Sequence, residues 1–134
     1  MTLDTFEDIL PIFGVICSGS VQPLSCGIWL TYKNYTQELK EKISRFVQDY
    51  QDAVSSYRVS FNQSEVIFKN GSIIRFIVAN ENQRGYRFHF SAYDWEIEDY
   101  LIYNIIIPKS CVGFPPKSIQ INYKRRKQEN ENVD

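Results

Sequence analysis

Asp94 closes the run Phe90-Ser91-Ala92-Tyr93, and Glu96, Glu98 and Asp99 follow it closely. A carboxylate at the end of a sheet strand stands in the crevice where open α/β sheets bind ligands. Such a group can hold Mg²⁺ directly or through water, because hard cations take oxygen ligands. A neighbouring carboxylate, here Glu96, can polarise a water. Ten residues before Asp94, Arg84 is followed by Gly85 in a polar stretch. A guanidinium beside a glycine can be aimed at a phosphate. Each feature also has a plain alternative: a solvated acidic turn or helix N-terminus for the acids, a surface turn for Arg84-Gly85.

Other candidates are weaker. His89 is the only histidine, so no histidine pair or triad can form within one chain. Cys17, Cys26 and Cys111 are odd in number and irregularly spaced. That gives neither a zinc pattern nor a disulfide framework, and points to small buried hydrophobes in a reducing compartment. Lys124-Arg125-Arg126-Lys127 is a run of positive charge. It suits phosphate contacts or a targeting signal, although the acids of the following segment dilute it.

The elements that position these residues can be read from pattern. Residues 1–11 read as a short helix or arm stopped by Pro11. The apolar runs 12–17 and 27–32 have strand length. The spacing predicts a helix over Asn34–Val54, with Asn34 and Gln37 as a capping box. Its apolar stripe is Leu39, Ile43, Phe46, Val47, Tyr50 and Val54. Residues 57–61 alternate and predict a strand. Two β-rich runs joined by Asn70-Gly71 predict a hairpin with a type I′ turn. On its second strand Ile74, Phe76 and Val78 share one face, and Ile73, Arg75 and Ile77 the other. Residues 95–107 are helical at first, with a β-branched end closed by Pro108 that is equally compatible with extended chain. Residues 119–123 suit a last edge strand. Strand, helix and strand over residues 27–61 imply a crossover onto one sheet. The expected fold is α/β: a mixed sheet with an Asn-Gly β-hairpin and one long amphipathic helix. It forms a single domain over 1–123 with a charged, disordered tail over 124–134.

Composition sets outer limits. The chain has 134 residues, 43% of them hydrophobic and 15% aromatic, enough for one domain with a core. A net charge of −1 gives no global field for nucleic acid, so any such contact must be local. No run reaches bilayer-spanning length, and the acidic N-terminus makes a poor signal peptide. A soluble protein of the host cytoplasm or nucleus is expected, without membrane contact.

The segments NGSIIRF and RGYRFHFSAYD, in that order, resemble the large subunit of the DNA-packaging terminase of tailed phages and herpesviruses. Asn70, Gly71 and Ser72 match its hairpin turn. Arg84 and Gly85 match its loop, and Phe88 to Tyr93 match its Walker B strand. The resemblance covers roughly residues 27–108 and implies a truncated P-loop ATPase core. It implies that Asp94 holds the metal and that Glu96, one residue later than the family's glutamate, orients water. Arg84 would sense phosphate or couple the site to DNA.

The sequence contains no G-x-x-x-x-G-K-[ST] loop. Cys17-Ser18-Gly19-Ser20 stands where such a loop would start after a strand at 12–17, and it has no lysine. The implied function is a terminase-like ATPase-core fragment associated with double-stranded DNA packaging, without autonomous ATPase activity. Mg²⁺ and ATP would bind only if a companion terminase or P-loop chain supplied the loop. One alternative is a non-catalytic α/β protein-interaction module. Another is a small nucleic-acid binder using Arg75, Arg84, Arg87 and the basic tail on one face.

Overall fold

The computed structural model describes residues 2–3, 6–31, 37–60, 63–80, 88–94, 96–109 and 119–123. Strands β1 (Thr2–Leu3), β2 (Ser25–Leu30), β3 (Val54–Val59), β4 (Gln63–Phe68), β5 (Ile73–Val78), β6 (Phe90–Asp94) and β7 (Ile119–Tyr123) form one sheet. Its order is β1-β7-β6-β2-β5-β4-β3. Neighbours from β1 across to β5 run parallel, and β4 and β3 return antiparallel. The mixed α/β sheet expected from the sequence is therefore present. Residues 119–123 lie between β6 and β1, an interior place rather than the edge expected for them.

Helix α1 (Phe6–Gly19) replaces the strand expected at 12–17, and Pro11 stands inside it rather than ending it. Ile9, Leu10, Phe13 and Cys17 are buried, at helical spacing. The run looked strand-like because the outer side of α1 is apolar too, with Ile12 and Val15 exposed. Helix α2 (Gln37–Asp49) buries Leu39, Ile43 and Phe46 as its stripe predicted. It stops earlier than expected, and Val54 opens β3 instead. Asn34 of the expected capping box lies outside the described residues.

The two helices share one face of the sheet. Their buried side chains join Cys26, Ile28, Leu30, Ile74 and Phe76 in one core. The opposite face carries Trp29, Ile77 and Phe88 under Ile97, Ile102 and Ile106. The last two belong to a helical segment that starts as α3 (Asp99–Leu101), passes through a π-helical stretch (Ile102–Ile106) and ends as α4 (Ile107–Lys109). Its β-branched end is helical because Ile102 and Ile106, one turn apart, both reach this second core. Pro108 lies within α4. Among the described residues, no helix is long and apolar enough to cross a membrane.

The hairpin between β4 and β5 forms, but not through a type I′ turn. Only Gly71 has positive φ, at 91°. The Gly71 N–H donates to the Phe68 carbonyl (2.9 Å) and the Phe68 N–H to the Ser72 carbonyl (2.8 Å). This places Gly71 after the turn's central pair, as in a turn followed by a glycine bulge. Asn70 has another task. Its Nδ2 donates to the carbonyls of Cys17 (2.6 Å) and Ser20 (3.1 Å), and its Oδ1 accepts the Ser72 N–H (2.9 Å). The first of these satisfies a carbonyl that the end of α1 leaves without a helical partner. Replacing Asn70 with alanine is expected to cost about 1–2 kcal/mol in urea denaturation, because two carbonyls and one N–H lose a part-buried partner.

Candidate functional site

The parallel strands end together at one margin of the sheet, and this margin holds Asp94. Asp94 is in register with Tyr123 on β7, and Tyr123 with Leu3 on β1. Two strand spacings, about 10 Å, separate Asp94 from Leu3 at the same height. After Leu3 the chain has only positions 4 and 5 before α1 begins. In an open parallel sheet the crevice for a ligand lies at this carboxyl margin, and a helix that follows a strand points its N-terminus there.

Asp94 is fully buried. Its Oδ1 accepts the Glu96 N–H at 3.0 Å, and its carbonyl accepts the Ile97 N–H at 3.0 Å. The side chain thus closes the turn that leads from β6 into the helical segment, a common role for aspartate. Glu96 is exposed on that turn, so the two carboxylates differ in environment. Beside them, burial pushes the Tyr93 phenol above its ordinary pKa, and the nearby Tyr103 and Asp99 push it the same way. The helical segment therefore folds back across the end of β6. Among the described residues no group of three or more His, Cys, Asp or Glu could hold a metal. That does not bear on Mg²⁺, which commonly takes one or two carboxylates and completes its shell with water and phosphate.

The other expected site residues fall elsewhere. Arg84, Gly85 and Arg87 lie outside the described residues, as do Lys124, Arg125, Arg126 and Lys127. Arg75 donates to Glu65 Oε1 at 3.1 Å, and Arg58 lies 3.6 Å from the same oxygen. His89 is half-buried and ties strand starts together, its Nδ1 accepting the Ser25 N–H at 3.1 Å. Cys17 and Cys26 are buried thiols with Sγ atoms 3.6 Å apart.

Residues Ser18–Ser20 require a correction. They close α1 and lead into the start of β2, which lies in register with the start of β6. Asp94 is at the far end of β6, roughly 13 Å further along the sheet. At the margin that holds Asp94, the junction of β1 and α1 consists of Asp4 and Thr5. A junction of two residues is too short for G-x-x-x-x-G-K-[ST]. The margin thus holds a buried carboxylate at the end of β6 and a two-residue junction between β1 and α1. The missed signal was the spacing of Ile9, Leu10, Phe13 and Cys17, which marks residues 12–17 as helix.

The mixed sheet, with its parallel strands ending at this margin, has counterparts among solved structures. The chain is similar to the large terminase of a thermophilic bacteriophage, with a TM-score of 0.60 at 10% identity over 92% of this chain. An ADP complex of that terminase gives a TM-score of 0.59 at 10% identity over the same 92%. The ATPase domain of the Thermus phage P74-26 large terminase gives 0.56 at 14% identity over 95% of this chain. The chain spans 33% and 32% of the first two chains and 61% of the third. No protein-family model matches the chain, and no curated protein matches it by sequence. The fold is that of the large-terminase ATPase domain.

Proposed function

We propose that this chain is a terminase-like ATPase-core unit associated with packaging of double-stranded DNA, and that it does not hydrolyse ATP alone. The observation that supports this reading is the pairing of a terminase ATPase fold with a two-residue β1–α1 junction, Asp4-Thr5, level with Asp94. Without a phosphate loop and its lysine, the β- and γ-phosphates lose their main positive partner. In this reading a companion chain supplies that loop, Asp94 marks the metal side of the joint site, and Glu96 faces solvent where a water could be oriented. Arg84 and Gly85 contact phosphate or couple the site to DNA. Lys124, Arg125, Arg126 and Lys127 meet the DNA backbone.

Two measurements test the proposal. Phosphate release from Mg²⁺-ATP by the purified chain should stay at the level of buffer, and Asp94→Asn should not change it. Turnover that disappears in Asp94→Asn would overturn the claim of dependence on a companion. Binding to a double-stranded DNA fragment should weaken steeply with salt, with a shallower slope once Lys124, Arg125, Arg126 and Lys127 are changed to alanine. No DNA binding at low salt would sink the packaging association. The second reading, a non-catalytic interaction module, would then lead. It is favoured by the turn-closing hydrogen bond of Asp94, which asks for no ligand.

A further inference from the structure

Helix α1 carries no charged side chain from Ile9 to Gly19, yet it lies on the surface. A surface helix normally turns a polar face outward. Here Ile12 is 39% exposed and Val15 65%. At 3.6 residues per turn, Pro11 lies between Val15 and the side of α1 that meets α2. Beyond Pro11 a groove of about 430 Å³ opens between the helices, floored by Leu10, Phe46 and Tyr50 and rimmed by Lys42, Arg45 and Asp49 of α2. The helices approach closely there. A Cβ on Gly14 would come within 2.6 Å of the Tyr50 ring and 2.9 Å of Phe46. The Tyr50 hydroxyl donates to the Pro11 carbonyl at 3.3 Å. Ile12, Val15, Pro11 and the groove floor thus make one continuous apolar surface.

We infer that this surface is a two-fold interface with a second copy of the chain. The charges of the rim suit that occupant. An isologous contact presents each group to its counterpart's neighbour, so one rim must carry both signs. The α2 rim does, with Arg45 and Asp49 one turn apart and both exposed. A two-fold axis crossing α1 and α2 pairs Arg45 with Asp49 of the second copy, and reciprocally. The same axis sets Val15 against Pro11 of the second copy. The uncharged stripe of α1 then meets its own like. This inference does not depend on nucleotide or DNA binding.

Sedimentation equilibrium of the full chain tests it. A reversible dimer is expected below about 100 µM. Val15→Glu should raise the dissociation constant by at least roughly tenfold. Val21→Glu, at an exposed site on the loop after α1, should leave it unchanged and shows that an added charge alone is not the cause. Arg45→Asp and Asp49→Arg should each weaken the dimer, and combining them should restore it. Circular dichroism confirms that each variant is folded. A monomer at every concentration, a dimer that survives Val15→Glu, or a charge pair that fails to rescue would each overturn the proposal.

Discussion

Replacing Trp29 with alanine should destabilise the fold by about 3–5 kcal/mol, the range for removing a large buried aromatic side chain. Trp29 is fully buried near the end of β2, with β5 on one side and β6 on the other. Its ring meets Phe88 edge to face, with centroids 5.8 Å apart and planes at 89°. Such a pair adds to simple burial because the positive edge of one ring faces the negative face of the other. Its Nε1 donates to Ser91 Oγ at 3.4 Å, a contact to β6 itself. Truncation would open a void beneath Ile97, Ile102 and Ile106, which hold the helical segment over this face. Domains of this size carry only about 5–15 kcal/mol in total, so chemical denaturation should show a much earlier midpoint. Trp29→Phe keeps an aromatic ring and should recover much of the loss. A midpoint for Trp29→Ala within error of wild type would mean that this second core contributes little.

What could be read from the sequence followed from how strongly each segment was constrained by its own pattern. The α2 stripe and the alternating faces of β5 were legible because one side of each element is apolar and the other polar. The fold class followed from those same segments. The resemblance to the large terminase rested on the order of the Asn70-Gly71-Ser72 turn, the β6 strand and Asp94, and the overall fold is similar to that of its ATPase domain. The turn itself shows why residue identity says less than it promises. Asn70 and Gly71 fit a type I′ turn, but the Asn70 side chain is engaged by the end of α1, far away in sequence. Helix α1 was hidden because exposed Ile12 and Val15 fill in the gaps of its periodicity. A helix apolar on two sides and a buried strand give the same local string. That misreading set Ser18–Ser20 beside Asp94, whereas they lie toward the opposite end of the sheet. The burial of Asp94 was also beyond local reading, since β7, its neighbour in the sheet, comes later in the chain.

Removing the carboxylate at position 94 should cost roughly 1–3 kcal/mol, because the turn loses a part-buried hydrogen bond and the Glu96 N–H loses its acceptor. Asp94→Ala takes away the acceptor for the Glu96 N–H, so the turn joining β6 to the helical segment loses its closing bond. Asp94→Asn keeps an oxygen at the same place and removes only the charge. If the side chain serves mainly to close this turn, Asn should lie within about 1 kcal/mol of wild type, since burying a charge has its own cost. Holding Mg²⁺ is a different demand, because a neutral amide oxygen binds a hard cation far more weakly than a carboxylate does. Thermal unfolding with and without Mg²⁺ separates the two roles. For the chain alone, the expected result is a large loss in Asp94→Ala, a small one in Asp94→Asn, and no Mg²⁺-dependent shift in any of the three proteins. A Mg²⁺-dependent rise in the wild-type midpoint that Asp94→Asn abolishes would show a metal bound without a companion chain. The carboxylate would then be a ligand first, and the turn it closes would be the means of aiming it.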